Sequence, residues 1–166
     1  MKTQVLIVMG SDSDMPVLEE AGKILKKFRI SYEMTIASAH RTPERTIRLA
    51  FEAEEKGIEV IIAGAGMAAH LAGVLAAHTI VPVIGVPIDS SPLNGLDSLL
   101  STVQMPPGVP VATMAIGKAG AKNAAILSAQ IIGRKDPEVV RRLKDYRKKM
   151  AEEVEKKSRT LRGYNS

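Results

Sequence analysis

The 166-residue sequence contains no cysteine and no tryptophan, and aromatic residues make up only 3% of it. The lack of cysteine excludes disulfides, thiolate nucleophiles and cysteine-bound metal or iron–sulfur centres. The scarcity of aromatic side chains leaves few platforms on which nucleobases could stack. No apolar run approaches the roughly 18 to 20 residues that a membrane-spanning helix needs, and no signal-peptide core precedes the first strand pattern. We therefore expect a cytoplasmic protein without a membrane partner.

The formal net charge is +5 at pH 7, but the excess of basic residues is confined to one end of the chain. Residues 134–166 contain 12 Lys and Arg against 6 Asp and Glu, whereas the rest of the chain contains 11 against 12. A solvated helix face explains this concentration better than a nucleic-acid surface, since stacking residues are nearly absent. We expect no nucleic-acid partner.

Apolar β-like segments alternate with helical patterns along the chain. Strands are predicted at residues 5–9, 31–36, 59–63, 81–86 and 111–116, and helices at residues 15–28, 42–57, 68–79, 96–103, 124–132 and 137–159. Pro87 is expected to close the fourth strand, and residues 117–123 are predicted as a loop before the fifth helix. This alternation predicts one three-layer α/β domain with a five-stranded parallel sheet. By analogy with flavodoxin-like folds, we assign the strand order 2-1-3-4-5.

Three short loops of small and polar residues follow the first three predicted strands. They are residues 10–14 (Gly-Ser-Asp-Ser-Asp), 38–43 (Ser-Ala-His-Arg-Thr-Pro) and 64–70 (Gly-Ala-Gly-Met-Ala-Ala-His). Because the carboxyl ends of parallel strands meet at one edge of a sheet, where ligands bind, these loops are predicted to share one crevice. The side chains that they bring together there indicate an active site.

In the first loop, Ser11 and Asp14 stand where a strand ends and a helix begins. A serine hydroxyl and the free N–H groups of a helix N-terminus bind phosphate well. A carboxylate such as Asp14 would repel phosphate but suits a sugar hydroxyl. Helix capping, which Ser and Asp perform in many proteins, explains both residues equally well. The loop lacks the glycine pattern of dinucleotide-binding folds.

The second loop places Ser38 and Arg41 on either side of His40. Arginine beside serine suits bidentate recognition of a phosphate, and histidine is the side chain best matched to proton transfer near neutral pH. In the alternative interpretation, Thr42 and Pro43 start a helix, and the residues before them are ordinary loop residues. We favour the functional interpretation, because starting a helix requires neither His40 nor Arg41.

The third loop offers a backbone with few obstructing side chains around Gly66 and Ala69. Such a backbone can surround a carboxylate or admit a flat ring. His70 is interpreted either as a catalytic group or as a hydrogen-bond partner of a neighbouring loop, and His78 as a residue that interacts with a helix C-terminus. No acidic residue stands near His40 or His70 at the spacing of metal ligands, so we predict no metal.

Six motifs resemble those of the N5-carboxyaminoimidazole ribonucleotide mutase family, the class I form of PurE. In this sequence they are residues 10–14, 38–43 and 63–71, together with 96–99 (Leu-Asp-Ser-Leu), 103–106 (Val-Gln-Met-Pro) and 116–125 (Ile-Gly-Lys-Ala-Gly-Ala-Lys-Asn-Ala-Ala). They occur in the family's order and cover the chain from Val5 to Ile132.

The resemblance implies an isomerase of purine (IMP) biosynthesis that moves a carboxylate from N5 of an imidazole ribonucleotide to ring carbon C4, without metal or cofactor. It also implies a homo-octamer of flavodoxin-like subunits and makes His40 the proton carrier. The residues that it assigns to the substrate are Ser11, Asp14, Ser38, Arg41, Gly66, Ala69 and His70.

Two residues depart from the family's pattern. Met67 stands where glycine is common, and Ala72 stands where proline is common. A methionine at position 67 either crowds the third loop or reshapes the roof of a CO₂ pocket.

The last predicted helix is amphipathic, with apolar residues roughly every 3.6 positions. The stripe comprises Val139, Leu143, Tyr146, Met150 and Val154. The earlier helices suffice to cover both faces of the sheet, so we treat residues 1–133 as the flavodoxin-like catalytic domain and 134–166 as its helical extension. The extension is predicted to pack on a neighbouring subunit, and the alternative is that it folds back on its own subunit.

Two other functions stay open. The class II carboxylase, which adds free CO₂ to aminoimidazole ribonucleotide, has an Arg-Ser-Asn-like third loop that this chain lacks. A non-catalytic flavodoxin-like signalling or flavin module would need a phosphorylatable Asp at a strand end or more aromatic residues. Here the third predicted strand ends in Ala63 and Gly64.

Overall fold

The computed structural model describes residues 2–162, which form five strands and six α-helices. The strands are β1 (Val5–Met9), β2 (Tyr32–Ile36), β3 (Val60–Gly66), β4 (Val83–Ile88) and β5 (Ala112–Thr113). The helices are α1 (Met15–Phe28), α2 (Pro43–Glu55), α3 (Leu71–Ala77), α4 (Leu96–Val103), α5 (Gly117–Gly133) and α6 (Pro137–Arg162), and a short 3₁₀ turn, Asp12–Asp14, precedes α1.

The sheet is entirely parallel and has the order β2-β1-β3-β4-β5, which confirms the predicted fold. In this register Met9 lies beside Ile36 on one side and beside Gly64 on the other. The N–H of Gly10 donates to the carbonyl of Gly64 at 3.1 Å, which extends the pairing one residue past β1. The loops that follow β1, β2 and β3 therefore leave the sheet along one edge.

Both faces of the sheet are covered, because alternate side chains of its strands point to opposite sides. Ile7 joins Leu25 in a core beneath α1 and α5, whereas Val8 joins Leu75 in a core beneath α2 and α3. The helix α5 lies against α1 and buries mainly small residues: Gly117, Gly120, Ala121, Ala124, Ala125, Ser128 and Ala129. None of the helices within residues 2–162 is both long and apolar enough to cross a membrane.

Pro87 does not close β4, contrary to the sequence prediction, since the strand continues to Ile88 and stays paired with β3. The N–H of Met114 donates to the carbonyl of Gly85, so the backbone groups of Gly85 face β5. Backbone groups two residues apart in a strand face the same side, so those of Pro87 also face β5. β5 pairs only with Ile84 and Gly85. Pro87 therefore lies beyond the end of β5, where its missing N–H costs no ladder hydrogen bond.

The loop predicted at residues 117–123 is also wrong, because these residues form the first turns of α5. Gly117 has a φ of +72°, which lets the chain turn sharply into the helix, and a side chain at Gly120 would clash with the carbonyl of Ala115. The glycines permit a close helix entry rather than a flexible loop. Smaller differences are that β3 runs to Gly66, α3 begins at Leu71, and β5 is shorter than predicted.

The helix α6 packs on its own subunit along its first turns. Val139 and Leu143 are buried against the core, and the ring of Tyr146 meets the edge of Phe28 with ring centres 5.5 Å apart. The apolar residues farther along the helix are exposed, namely Met150, Val154 and Leu161. Packing of this second half on a neighbouring subunit stays a prediction, and residues 163–166 of the predicted extension lie outside the described residues.

Replacing Phe28 with alanine is expected to lower the free energy of unfolding by about 3–5 kcal/mol, because the substitution removes a buried ring that joins α1 to α6. Phe51→Ala is the matched control, since Phe51 is the other of the chain's two phenylalanines and is 51% exposed. We expect the control to cost less than about 1 kcal/mol. Denaturant unfolding at one fixed protein concentration measures both changes, and equal losses would contradict the prediction.

Candidate active site

A crevice of about 690 Å³ lies at the carboxyl edge of the sheet, where the loops after β1, β2, β3 and β4 meet. All three predicted loops contribute to it. Its lining residues are Gly10, Ser11, Ser13, Asp14, Ser38, Ala39, His40, Arg41, Ala65, Gly66, Met67, Ala68, His70, Leu71 and Ser90. Every candidate site residue named from the sequence is among them except Ala69, which belongs to the third loop but is only 3% exposed.

The first loop is closed by a capping box between Ser11 and Asp14. The N–H of Ser11 donates to Oδ2 of Asp14 at 3.0 Å, and the N–H of Ser13 donates to Oγ of Ser11 at 3.4 Å. Burial raises the pKa of the Asp14 carboxyl, because the folded loop removes water from its charged form. Capping therefore accounts for the local geometry, yet both residues also face the crevice.

Arg41 connects the first and second loops. Its Nη2 donates to the carbonyl of Gly10 at 3.1 Å, and its backbone N–H donates to Oγ of Ser38 at 3.2 Å. The Thr42 hydroxyl bonds back to the Ser38 carbonyl and does not cap α2, although Pro43 begins that helix as expected. The arrangement fixes a cation beside two serine-containing loops, which is suitable for binding an anion.

The two histidines of the crevice contact each other across the second and third loops. Nε2 of His40 and Nδ1 of His70 are 2.6 Å apart, and the rings are perpendicular with centres 4.8 Å apart. One of these nitrogens must donate while the other accepts, so a single proton lies between them. The structure thus shows His70 hydrogen-bonded to a neighbouring loop, which is one of the two alternatives left open by the sequence.

The third loop has a closely packed glycine followed by a residue in an uncommon conformation. A side chain at Gly66 would overlap the hydroxyl of Ser90. The next residue, Met67, has a φ of +54°, a left-handed conformation that is uncommon outside glycine. The loop therefore combines small residues, which leave space beside β3, with one large side chain at its turn.

Ser90 was given no individual role from the sequence, although the loop near residues 90–94 was expected to lie by the active site, and Ser90 does line the crevice. The signal was present in the sequence, because Ser90 follows β4 by two residues and the loop after that strand leaves the same edge of the sheet. Ser13 and Leu71 line the crevice as well, next to predicted residues in the first and third loops.

His78 lies outside the crevice and ends α3, as predicted. Its N–H donates to the carbonyl of Leu75 at 3.0 Å, and its ring lies 5.9 Å from that of Phe51. Within the part of the chain that the structure describes, no group of three or more His, Asp or Glu side chains is arranged to hold a metal ion.

Comparisons with known proteins agree on one family. A family model described as AIR carboxylase matches residues 4–153. The N5-carboxyaminoimidazole ribonucleotide mutase of Pyrococcus horikoshii is 60% identical over 160 residues, which cover 96% of this chain and 89% of that protein. The mutase of Escherichia coli K12 is 53% identical over 151 residues, or 91% of this chain and 89% of that protein.

A solved structure extends the similarity to the fold. The crystal structure of Treponema denticola PurE has a TM-score of 0.86 and 32% identity, and the match covers 95% of this chain and 97% of that one. These comparisons confirm the resemblance inferred from the motifs. The chain belongs to the AIR carboxylase family, together with curated relatives that are named N5-carboxyaminoimidazole ribonucleotide mutase.

Proposed function

We propose that this protein is an isomerase of purine biosynthesis, an N5-carboxyaminoimidazole ribonucleotide mutase that works without metal or organic cofactor. The observation that carries the proposal is the hydrogen-bonded His40–His70 pair, which shares one crevice with Arg41 and with a loop of small residues. Curated relatives at 60% and 53% identity bear this name, which supports the same activity here.

Arg41, with Ser38 and Ser11, is proposed to bind the ribose phosphate of the substrate. The guanidinium uses Nη2 for the Gly10 carbonyl, and the remaining N–H groups of its fork suit phosphate oxygens. The Ser11 hydroxyl donates to the Asp12 carboxylate at 2.9 Å, and this bond lowers the pKa of Asp12. Binding a phosphate then requires the Ser11 hydroxyl to rotate away from Asp12.

Asp14 and the third loop are proposed to hold the rest of the substrate. The Asp14 carboxyl, buried beside Ser11, suits a ribose hydroxyl better than a phosphate. Gly66 and His70 line the crevice and are proposed to face the imidazole and its carboxylate, and the buried Ala69 lies between Gly66 and His70 along the chain.

The rearrangement needs a group that gives one proton and later takes one back. When the bond from N5 to the carboxylate carbon breaks, its electron pair stays on N5, CO₂ is released, and His40 gives N5 a proton. Ring carbon C4 then forms a bond to CO₂, and its proton passes to His40, which returns to its starting state. The hydrogen bond to His70 orients the His40 ring for both transfers.

The released CO₂ must stay beside the ring for the second step. Ala65 and Gly66, at the end of β3, line the crevice and present nothing larger than a methyl group to the space beside them. Confinement in this space keeps the attack by C4 effectively unimolecular.

The proposed reaction is tested by offering the purified protein two substrates in parallel. One sample receives the N5-carboxylated ribonucleotide, and the other receives aminoimidazole ribonucleotide with bicarbonate. Faster formation of the C4-carboxylated product in the first sample supports the mutase. Product formation in the second sample alone would overturn it in favour of the class II carboxylase.

His40→Asn is expected to lower kcat by about 10²–10⁴-fold while nucleotide binding persists, because the substitution removes the proton carrier and leaves Arg41 in place. His78→Asn is the control, since this third histidine lies outside the crevice, and it should leave kcat unchanged. Steady-state kinetics and product-nucleotide titration measure the two properties. A His40→Asn variant with wild-type turnover would exclude His40 from proton transfer.

Arg41→Ala is expected to raise KM by about 10-fold or more, since a charge-assisted hydrogen bond to a phosphate contributes about 1.5–3 kcal/mol. Arg45→Ala is matched to it, because Arg45 also donates to a backbone carbonyl, that of Ile36, but does not line the crevice. Initial-rate measurements over a range of substrate concentrations compare the two variants. Equal values of KM would place the phosphate elsewhere.

The subunits are proposed to form a homo-octamer, to which the exposed second half of α6 contributes. A chain that ends at Lys149 keeps Val139 and Leu143 in the core but loses the exposed Met150, Val154 and Leu161. We expect this truncation to give smaller species by light scattering and to lower activity, because loops near the site lose support from other subunits. An intact octamer after truncation would refute the role of α6, and a monomeric wild type would refute the assembly.

A further inference from the structure

Met67 adopts a backbone conformation that its side chain disfavours, with a φ of +54°. Within residues 2–162, Arg29 and Asn94 are the other non-glycine residues with positive φ. Arg29 follows α1 at a position where left-handed backbone is common, and asparagine tolerates this region better than most residues. Neither explanation applies to Met67, which lies in the turn between β3 and α3.

The chain is anchored on both sides of Met67. Before it, Gly66 is paired in the sheet beside Ile88, and a side chain at Gly66 would overlap the hydroxyl of Ser90. After it, the N–H of His70 donates to the carbonyl of Ala68 at 2.8 Å, which closes the turn into α3. Local strain that the surroundings hold in place in this way is concentrated at functional sites.

Packing does not explain the choice of a methionine at this position. Met67 is 57% exposed and belongs to neither of the two hydrophobic cores. It lines the crevice all the same, in the loop that also carries His70. A residue that is both part of the wall and more than half exposed lies at the rim, so an unbranched apolar side chain borders the mouth of the crevice.

We propose that Met67 retains CO₂ in the crevice during the reaction, by shielding the mouth from water and thereby favouring recapture over escape. The inference rests on the proposed mutase function. Once the bond from N5 to the carboxylate carbon has broken and N5 has taken a proton, CO₂ either bonds to C4 or leaves for solvent. Escape leaves aminoimidazole ribonucleotide as a by-product. An apolar group at the rim hinders that escape.

The test measures whether the carboxylate carbon of the substrate is the one that appears in the product. The N5-carboxylated substrate, labelled with ¹³C in its carboxylate, is converted in unlabelled bicarbonate, and the label in the C4 carboxylate of the product is measured at partial conversion. The wild type is expected to keep most of the label. Met67→Gly is expected to lose label about fivefold more often per turnover, which corresponds to a change of about 1 kcal/mol between the escape and recapture barriers.

Met67→Leu is the matched control, because leucine restores apolar volume at the same place and should retain label as the wild type does. Glycine is the residue that best accepts a positive φ, so Met67→Gly is expected to unfold at a denaturant concentration no lower than that of the wild type. Equal retention by the wild type and the glycine variant would overturn the role of Met67, as would complete loss of label in the wild type. A wild type that forms no product at all would overturn the proposed function and this inference with it.

Discussion

The site depends on the parallel pairing of β2, β1 and β3. Their register brings Met9, Ile36 and Gly64 into one line, and the hydrogen bond from Gly10 to Gly64 continues the pairing into the first loop. A slip of one residue in β1 or β3 would turn its buried side chains to the opposite face, so the hydrophobic cores on the two sides of the sheet hold the register. The energy that fixes the position of the crevice therefore comes mainly from apolar side chains, most of which lie outside it.

Hydrogen bonds between the loops, together with the strand register, fix the positions of the site residues. Arg41 reaches from the second loop to the first, and the two histidines join the second loop to the third. Each polar group in these contacts belongs to a loop that is itself short and anchored at a strand end. The proposed proton carrier and the proposed phosphate-binding cation are thus adjacent residues, His40 and Arg41, which are held by different partners. In the proposed mechanism, such an arrangement lets the proton move while the contacts of Arg41 stay in place.

The sequence predicted the parts of the fold that depend on local pattern. The apolar run of β1 and the periodicity of α1 and α4 predicted those elements with the bounds that the structure shows, and loop composition at the strand ends predicted the crevice. The prediction errors arose where contacts between residues distant in the sequence determine the local structure. Gly117 and Gly120 suggest a loop until the approach of Ala115 is known, and Ala69 suggests a wall residue until its burial is known. The contact between His40 and His70 joins residues thirty positions apart, which no local pattern reveals.

The proline inside β4 limits how far the sheet extends on its β5 side. A residue with an N–H at position 87 would offer the next rung of a ladder to the chain beyond Thr113, and the sheet could then lengthen toward the loops. With proline there, no such rung exists, and the chain beyond Thr113 instead turns at Gly117 into α5. Beyond Ile88, the chain is likewise released from the sheet just before Ser90, which reaches the crevice. Proline at this position thus limits the pairing of β4 with β5 to the residues before it, while the pairing of β4 with β3 continues to Ile88 beside the crevice.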